Sequence, residues 1–329
     1  MIAPLAKLID WLTIQKHFRR MPSFHGHDLR LEEAIRFLNG RNFIPLESQA
    51  ARIEFQSEST DFCFPTPQPS GSAEMDVVYG KVYRCGERWQ KQPTIVLLHA
   101  GRDFKGYHFR FPIIARQCNE VGVNVATLVS PNDLQRRPRN PAESGVQDYL
   151  QKAQTISQAV AEIRALIGWL LSEGCPAVSL WGFSAGGWLA GLTACHDSRL
   201  ACAILTVFRS RMNCFPRQRI IWRRVREELE RQHAAMERLD LTPMNLTLVQ
   251  PAIPKKNVLL IEALHDLAVP KESIGELWAA WKQPEIWRLP HGHVSCLRNA
   301  PSLTNRVLCW LSSRLNAHLQ LDTGSFTLP

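Results

Sequence analysis

Residues 177–192 read AVSLWGFSAGGWLAGL. An apolar run of strand length passes without a spacer into Gly182-Phe183-Ser184-Ala185-Gly186 and then into an apolar helical pattern. This is the strand–turn–helix context in which a serine nucleophile is held on a sharp turn. Such a turn tolerates no bulk two residues before or after the serine, and Gly182 and Gly186 occupy those places. Strained backbone at the serine pushes Oγ out over the sheet edge. The turn also places Ser184 at a helix N-terminus, where free N–H groups and the helix dipole favour a developing oxyanion. An ordinary strand-to-helix turn, with glycine only for close packing, is the alternative, against which the preceding strand, the following helix and a third glycine, Gly187, already weigh. What lies downstream distinguishes the two readings.

Outward from this turn, short apolar or β-branched runs alternate with helical patterns, the sign of an α/β protein with a mostly parallel sheet covered on both faces. Eight strands are expected, over 52–55, 76–83, 94–98, 123–129, 177–181, 201–207, 258–263 and 285–289. The first two, separated only by the turn-rich stretch 65–72, form an antiparallel edge. The clearest helix spans 148–172, with Ile156, Val160, Ile163, Ile167 and Leu170 on one stripe and Gly174 and Pro176 at its end. The run between the strands at 201–207 and 258–263 is too long for a simple connection and predicts an inserted helical cap over 208–250. Within it, residues 219–233 carry Ile221, Val225 and Leu229 on one face and opposite charges four apart on the other. The domain reading is a helical N-terminal extension over 1–50, a core formed by 51–207 and 251–320, the cap, and a tail over 321–329.

The strand at 258–263 ends in Leu264-His265-Asp266-Leu267-Ala268-Val269-Pro270, which puts a carboxylate at the sheet edge where α/β proteins gather their sites. Asp266 can orient a histidine and stabilise its imidazolium. Glu262 is the rival, but within a strand it points toward a sheet face. The strand at 285–289 leads into Pro290-His291-Gly292-His293-Val294-Ser295. His293 is the expected general base, with Gly292 giving its loop freedom, and His291 is the alternative. Ser184, Asp266 and His293 thus follow three different strands in the chain order that a serine triad on such a sheet requires. Two backbone donors complete an oxyanion hole: the N–H of Ala185, and one from His99-Ala100-Gly101-Arg102-Asp103 after the strand at 94–98.

Taken together, His99-Ala100-Gly101, the Ser184 turn, Asp266 to Pro270 and Gly292 to Ser295 resemble the α/β-hydrolase superfamily, on its esterase and dienelactone-hydrolase-like side. The resemblance covers roughly residues 50 to 318. It implies the α/β-hydrolase fold, with Gly101 as the second oxyanion donor. Ala100 replaces the family's usual glycine, which leaves Gly101 and Arg102 both open. Other members use aspartate or cysteine as nucleophile; a serine implies acyl transfer through a serine ester. The expected function is hydrolysis of a carboxylic ester. An acyltransferase using the same triad, or a non-catalytic binding module that keeps the fold, are the alternatives, and the complete triad argues against the last.

No cofactor or metal is expected, because no nucleotide-binding glycine fingerprint, H-E-x-x-H or paired-cysteine pattern is present. The expected partner is a small-molecule ester, an anionic one if Arg209, Arg211, Arg217, Arg219, Arg223 and Arg224 assist its approach. The net charge of +9 comes with no nucleic-acid motif, so a basic solvated surface is the expectation, and Gln135-Arg136-Arg137-Pro138-Arg139 reads as part of it. Nine scattered cysteines, odd in number and without a C-x-x-C pair, suggest a reducing, cytoplasmic setting. Near the N-terminus Leu5, Leu8, Ile9 and Leu12 have helical spacing and Asp10 interrupts any apolar run, so an amphipathic helix is expected rather than a signal peptide or a membrane span.

Overall fold

The structure, a computed structural model, describes residues 3–19, 31–40, 43–44, 50–55, 60–138, 149–211 and 241–315. Its strands are β1 (Glu54–Phe55), β2 (Asp61–Pro65), β3 (Val77–Tyr83), β4 (Thr94–Leu98), β5 (Asn124–Leu128), β6 (Val178–Phe183), β7 (Cys202–Thr206), β8 (Val258–Ala263) and β9 (Glu285–Leu289). The helices are α1 (Ala3–Arg19), α2 (Leu31–Asn39), α3 (Phe111–Asn119), α4 (Tyr149–Ser172), α5 (Ala185–His196), α6 (Lys271–Ala280), α7 (His293–Arg298) and α8 (Ala300–Leu315). The strands form one sheet in the order β1-β2-β3-β5-β4-β6-β7-β8-β9. Pairing is antiparallel from β1 through β3 to β5 and parallel from β5 to β9.

The sheet has nine strands where eight are expected from the sequence. The addition, β2, occupies the stretch ahead of the Pro-rich turn. Phe62 and Phe64 alternate inward and stack on each other, while Cys63 between them is partly exposed. So short a run gains its strand conformation from ladders to β1 and β3 on either side rather than from its own propensity.

From β5 to β8 in the sheet both faces of each strand are buried, and alternate residues feed two separate cores, while β9 at the edge alternates exposed and buried residues. Val96, Leu98, Val258 and Leu260 pack on the side covered by α4 and α5, whereas Ile95, Leu97, Leu259 and Ile261 pack on the side of α3 and α8. This rigid slab presents the C-terminal ends of β4, β6, β8 and β9 along one edge, where the loops carrying the motifs begin.

Two further expectations change in the fold. The basic stretch at 135–139 does not behave as uniform solvated surface. Arg136 is wholly buried, and its guanidinium grips both oxygens of the equally buried Glu162 on α4 at 2.6 Å each. Arg136 also donates to the carbonyls of Val129 and Met75, so the charge is matched by directed acceptors, as a buried guanidinium requires.

The second change concerns α1. The helix forms, but Leu5, Leu8 and Leu12 are exposed while Ala6 and Asp10 face inward. The helix expected at 219–233, most of the proposed cap and the tail at 321–329 lie outside the described residues. No helix among the described residues is long and apolar enough to cross a membrane. All eight cysteines among the described residues are free.

Candidate active site

β6 runs directly into the turn at Ser184, which adopts φ 52° and ψ −114°, and α5 starts at the next residue. Side chains around the turn are excluded by close backbone approaches. A Cβ on Gly182 would collide with the carbonyl of Gly186, and one on Gly186 with the carbonyls of Leu98 and His99. The strained serine is anchored by its N–H, which donates to Thr206 O on β7 at 2.8 Å.

The loops after β8 and β9 bring the other two residues to this turn. Ser184 Oγ lies 3.0 Å from His293 Nε2, and His293 Nδ1 lies 2.8 Å from Asp266 Oδ2. Nδ1–H donates to the carboxylate, which leaves Nε2 as the acceptor for the serine hydroxyl. Asp266 is held in turn, because its Oδ1 accepts from the N–H groups of Ala268 and Val269 at 2.7 and 2.8 Å. Burial disfavours the charged imidazole of His293. The carboxylates of Asp266 and Asp10 outweigh that and the opposing Arg209 cation, so His293 keeps its proton to a higher pH than a free histidine.

The rivals stand elsewhere. Glu262 pairs with Arg288 across β8 and β9 at 3.0 Å. His291 lies 3.4 Å from Asn299 through its Nε2. Burial above all, and His265, lower its pKa.

The loop after β4 is braced by the loop after β5. His99 is buried, with Nδ1 bonded to Ala100 O at 2.8 Å and Nε2 accepting the Ser130 N–H at 3.1 Å. The Arg102 N–H donates to Asp133 Oδ2 at 2.6 Å and is therefore engaged. Gly101, by contrast, stands beside Ala185, a Cβ on it coming 3.8 Å from the alanine methyl. Ala185 is the first residue of α5, so its N–H precedes the helical hydrogen-bond ladder. Among the described residues no group of three or more His, Cys, Asp and Glu side chains could hold a metal ion.

Of the six arginines singled out in the sequence, Arg209 acts electrostatically on His293, and Arg211 pairs with Glu276 at 3.0 Å. Arg217, Arg219, Arg223 and Arg224 lie outside the described residues.

Sequence reasoning passes over two groups. Asp133, which holds the Arg102 N–H, sits in a turn without any motif of its own. Asp10 on α1 accepts the backbone N–H groups of His293, Val294 and Leu267 at 2.6, 2.9 and 3.2 Å. Its only signal in the sequence is a carboxylate set among helical apolar positions.

The sheet order, the strained serine turn and the three loops define an α/β-hydrolase. More narrowly, the chain belongs to the family described as alpha/beta hydrolase domain containing 18, whose model matches residues 46–241. It is similar to an uncharacterized protein of Mycobacterium tuberculosis, 29% identical over 203 residues, which are 56% of this chain and 45% of that protein. The chain thus matches less than half the length of that relative. Among solved structures it resembles an acetyl xylan esterase from Paenibacillus sp. R4, with TM-score 0.55, 13% identity, and 88% of this chain and 96% of that one covered. It also resembles a Pyrococcus furiosus esterase, with TM-score 0.52, 14% identity, and 82% and 100% covered. At these identities the likeness is one of fold.

Proposed function

We propose that this chain is a serine hydrolase that cleaves a carboxylic ester through an acyl-enzyme. The observation that carries the reading is the continuous hydrogen-bonded line from Ser184 Oγ through the His293 ring to Asp266. In this mechanism His293 Nε2 takes the hydroxyl proton as Ser184 Oγ attacks the ester carbonyl. The N–H groups of Ala185 and Gly101 receive the oxyanion; the prior use of the Arg102 N–H by Asp133 favours Gly101 as the second donor. Collapse of the tetrahedral intermediate breaks the bond to the leaving alcohol, which takes the proton from His293. Water then gives a proton to His293, attacks the serine ester and releases the acid, returning Ser184 to its hydroxyl form.

Hydrolysis of p-nitrophenyl esters, from acetyl to long acyl, tests the reading together with fluorophosphonate labelling. The wild type is expected to turn over and label at Ser184. Ser184→Ala should abolish labelling and lower kcat by about 10⁶-fold, the scale on which loss of a triad serine acts. Turnover that survives in Ser184→Ala, or a folded wild type that neither labels nor hydrolyses, would overturn it.

A further inference from the structure

Asp10 stands 283 positions before His293 in the chain, yet its carboxylate lies among the loops that carry the triad. The side chain is wholly buried. One oxygen accepts from the N–H groups of His293 and Leu267, and the other accepts from Val294. His293 is the proposed base and Leu267 directly follows the proposed orienting acid, so one carboxylate ties together the backbones of both loops.

The neighbouring glycine fits this arrangement. Gly292 has φ −88° and ψ 178°, an ordinary extended conformation that any residue can adopt. Freedom of the loop, the role expected from sequence, is therefore not what requires a glycine there. A Cβ at this position would instead lie 2.7–2.8 Å from the carboxylate atoms of Asp10. The missing side chain makes room for the carboxylate.

A buried carboxylate here works against electrostatics. Asp266 repels it, and burial pushes its pKa up despite the three N–H donors. A neutral side chain would fill the space at less electrostatic cost if packing were the whole purpose.

We propose that Asp10 is a positioning residue of the catalytic centre, through which α1 holds the His293 and Asp266 loops in the reacting arrangement and places a second negative charge behind the imidazolium. The proposal rests on the serine-hydrolase reading above, with Asp10 acting through His293 and touching no reacting atom. Four groups face His293: Ser184 from the turn after β6, Asp266 from the loop after β8, Asp10 from α1 and Arg209 from beyond β7. Removing Asp10 leaves Asp266 as the one carboxylate among these four, so His293 should lose its proton at lower pH.

The test is the second-order rate constant of fluorophosphonate labelling at Ser184 as a function of pH, normalised to titrated sites. It is measured for the full-length wild type, Asp10→Asn, Asp10→Ala, Gly292→Ala and the double variant Asp10→Ala/Gly292→Ala. The near-isosteric Asp10→Asn keeps the shape of the side chain should the alanine variant fold poorly. In Asp10→Ala and Gly292→Ala the limiting rate constant is expected to fall on the order of 10- to 100-fold, the scale of a misplaced catalytic group.

The limb governed by His293 should move to lower pH in Asp10→Ala and Asp10→Asn. The double variant should be no slower than the slower single variant, because the clash at position 292 disappears with the carboxylate. A wild type that labels, with Asp10 variants that match its per-site rate constant and pH limb, would reduce Asp10 to a packing role and overturn the proposal, even if their melting temperatures fell. A folded wild type that does not label would overturn the serine-hydrolase reading itself and this proposal with it.

Discussion

The proposed catalytic centre is assembled from two helix N-termini that are used in opposite ways. At the serine turn, α5 begins at Ala185 and its first N–H remains available to an incoming oxyanion. At the histidine turn, α7 begins at His293, and its first two N–H groups are already taken by Asp10 from the far end of the chain. In the proposed mechanism one end binds a negative charge only while it develops, whereas the other is already occupied by the Asp10 carboxylate. The serine turn is embedded in its own sheet, shaped by the closeness of Gly182 and Gly186 to backbone of the turn and of the neighbouring strand end. The histidine turn is a composite and depends on a helix that does not adjoin it in sequence.

After loss of the nucleophile itself, the largest effect is expected where the histidine turn meets its acid. Asp266→Asn replaces the acceptor of the His293 Nδ1 proton, so the wrong tautomer becomes favoured and kcat should fall about 10⁴-fold. In the wild type, activity should rise with pH through the titration of His293, at a midpoint above the ordinary value of about 6.5 because the net shift is upward. Loss of the Asp266 charge leaves burial dominant, and the residual activity should show its limb at lower pH. The stability linkage has the matching sign. The protonated pair stabilises the fold fully below the unfolded histidine pKa, and that contribution is lost as pH rises through the raised folded value. A limb that stays in place in Asp266→Asn would show that this carboxylate does not govern His293.

Next in size is disruption of the serine turn. Gly186→Ala drives a Cβ into the carbonyls of Leu98 and His99, and both belong to backbone that cannot rotate away. A loss of about 3 kcal/mol or more is expected, at the upper end of overpacking costs, read as a fall in the denaturation midpoint. Stability within about 0.5 kcal/mol of the wild type would mean that the turn is looser than its contacts imply.

A milder change tests how far the histidine turn supports itself. Ser295 Oγ accepts the Gly292 N–H at 2.9 Å and is buried, a local brace in addition to Asp10. Ser295→Ala should cost about 1.5 kcal/mol, a typical loss for a buried capping interaction. A per-site fluorophosphonate rate near that of the wild type is expected alongside it, since the carboxylate remains.

The contrast between the turns also explains what could be read from the sequence. The serine turn was legible because its strand, its glycines and its helix are adjacent within residues 177–192 and announce one another, even though the backbone that crowds and anchors it comes from β4 and β7. That Asp266 and His293 would meet Ser184 could be expected because each follows a strand in the required order. Asp10 was not legible, since nothing in residues 3–19 indicates that their helix packs its polar side toward α7 and turns its leucines outward. The Arg136–Glu162 pair escaped for the same reason: a basic run looks solvated until a carboxylate from another helix is seen to meet it. β2 was missed because its conformation comes from its neighbours in the sheet. Local strain and periodicity are written in adjacent residues, whereas contacts between distant elements depend on the finished fold.

The smallest expected effect runs in the opposite direction and separates activity from stability within the serine turn. Ser184 holds φ 52° with ψ −114°, outside the regions that a side chain adopts without strain. Its Oγ contributes one hydrogen bond, to His293 Nε2, while its N–H bond to Thr206 O belongs to the backbone and survives substitution. Ser184→Gly therefore removes the strain and keeps the anchor, at the cost of one partly exposed hydrogen bond and of greater freedom in the unfolded chain. The strain relieved is about 1–3 kcal/mol and the opposing terms together are smaller, so the variant should be inactive yet more stable by about 1 kcal/mol. Thermal or urea denaturation of Ser184→Gly beside Ser184→Ala isolates this term, since both lose the hydroxyl and only glycine accepts the backbone angles. If the two variants melt together, the turn stores no strain, and its glycines are needed for space alone.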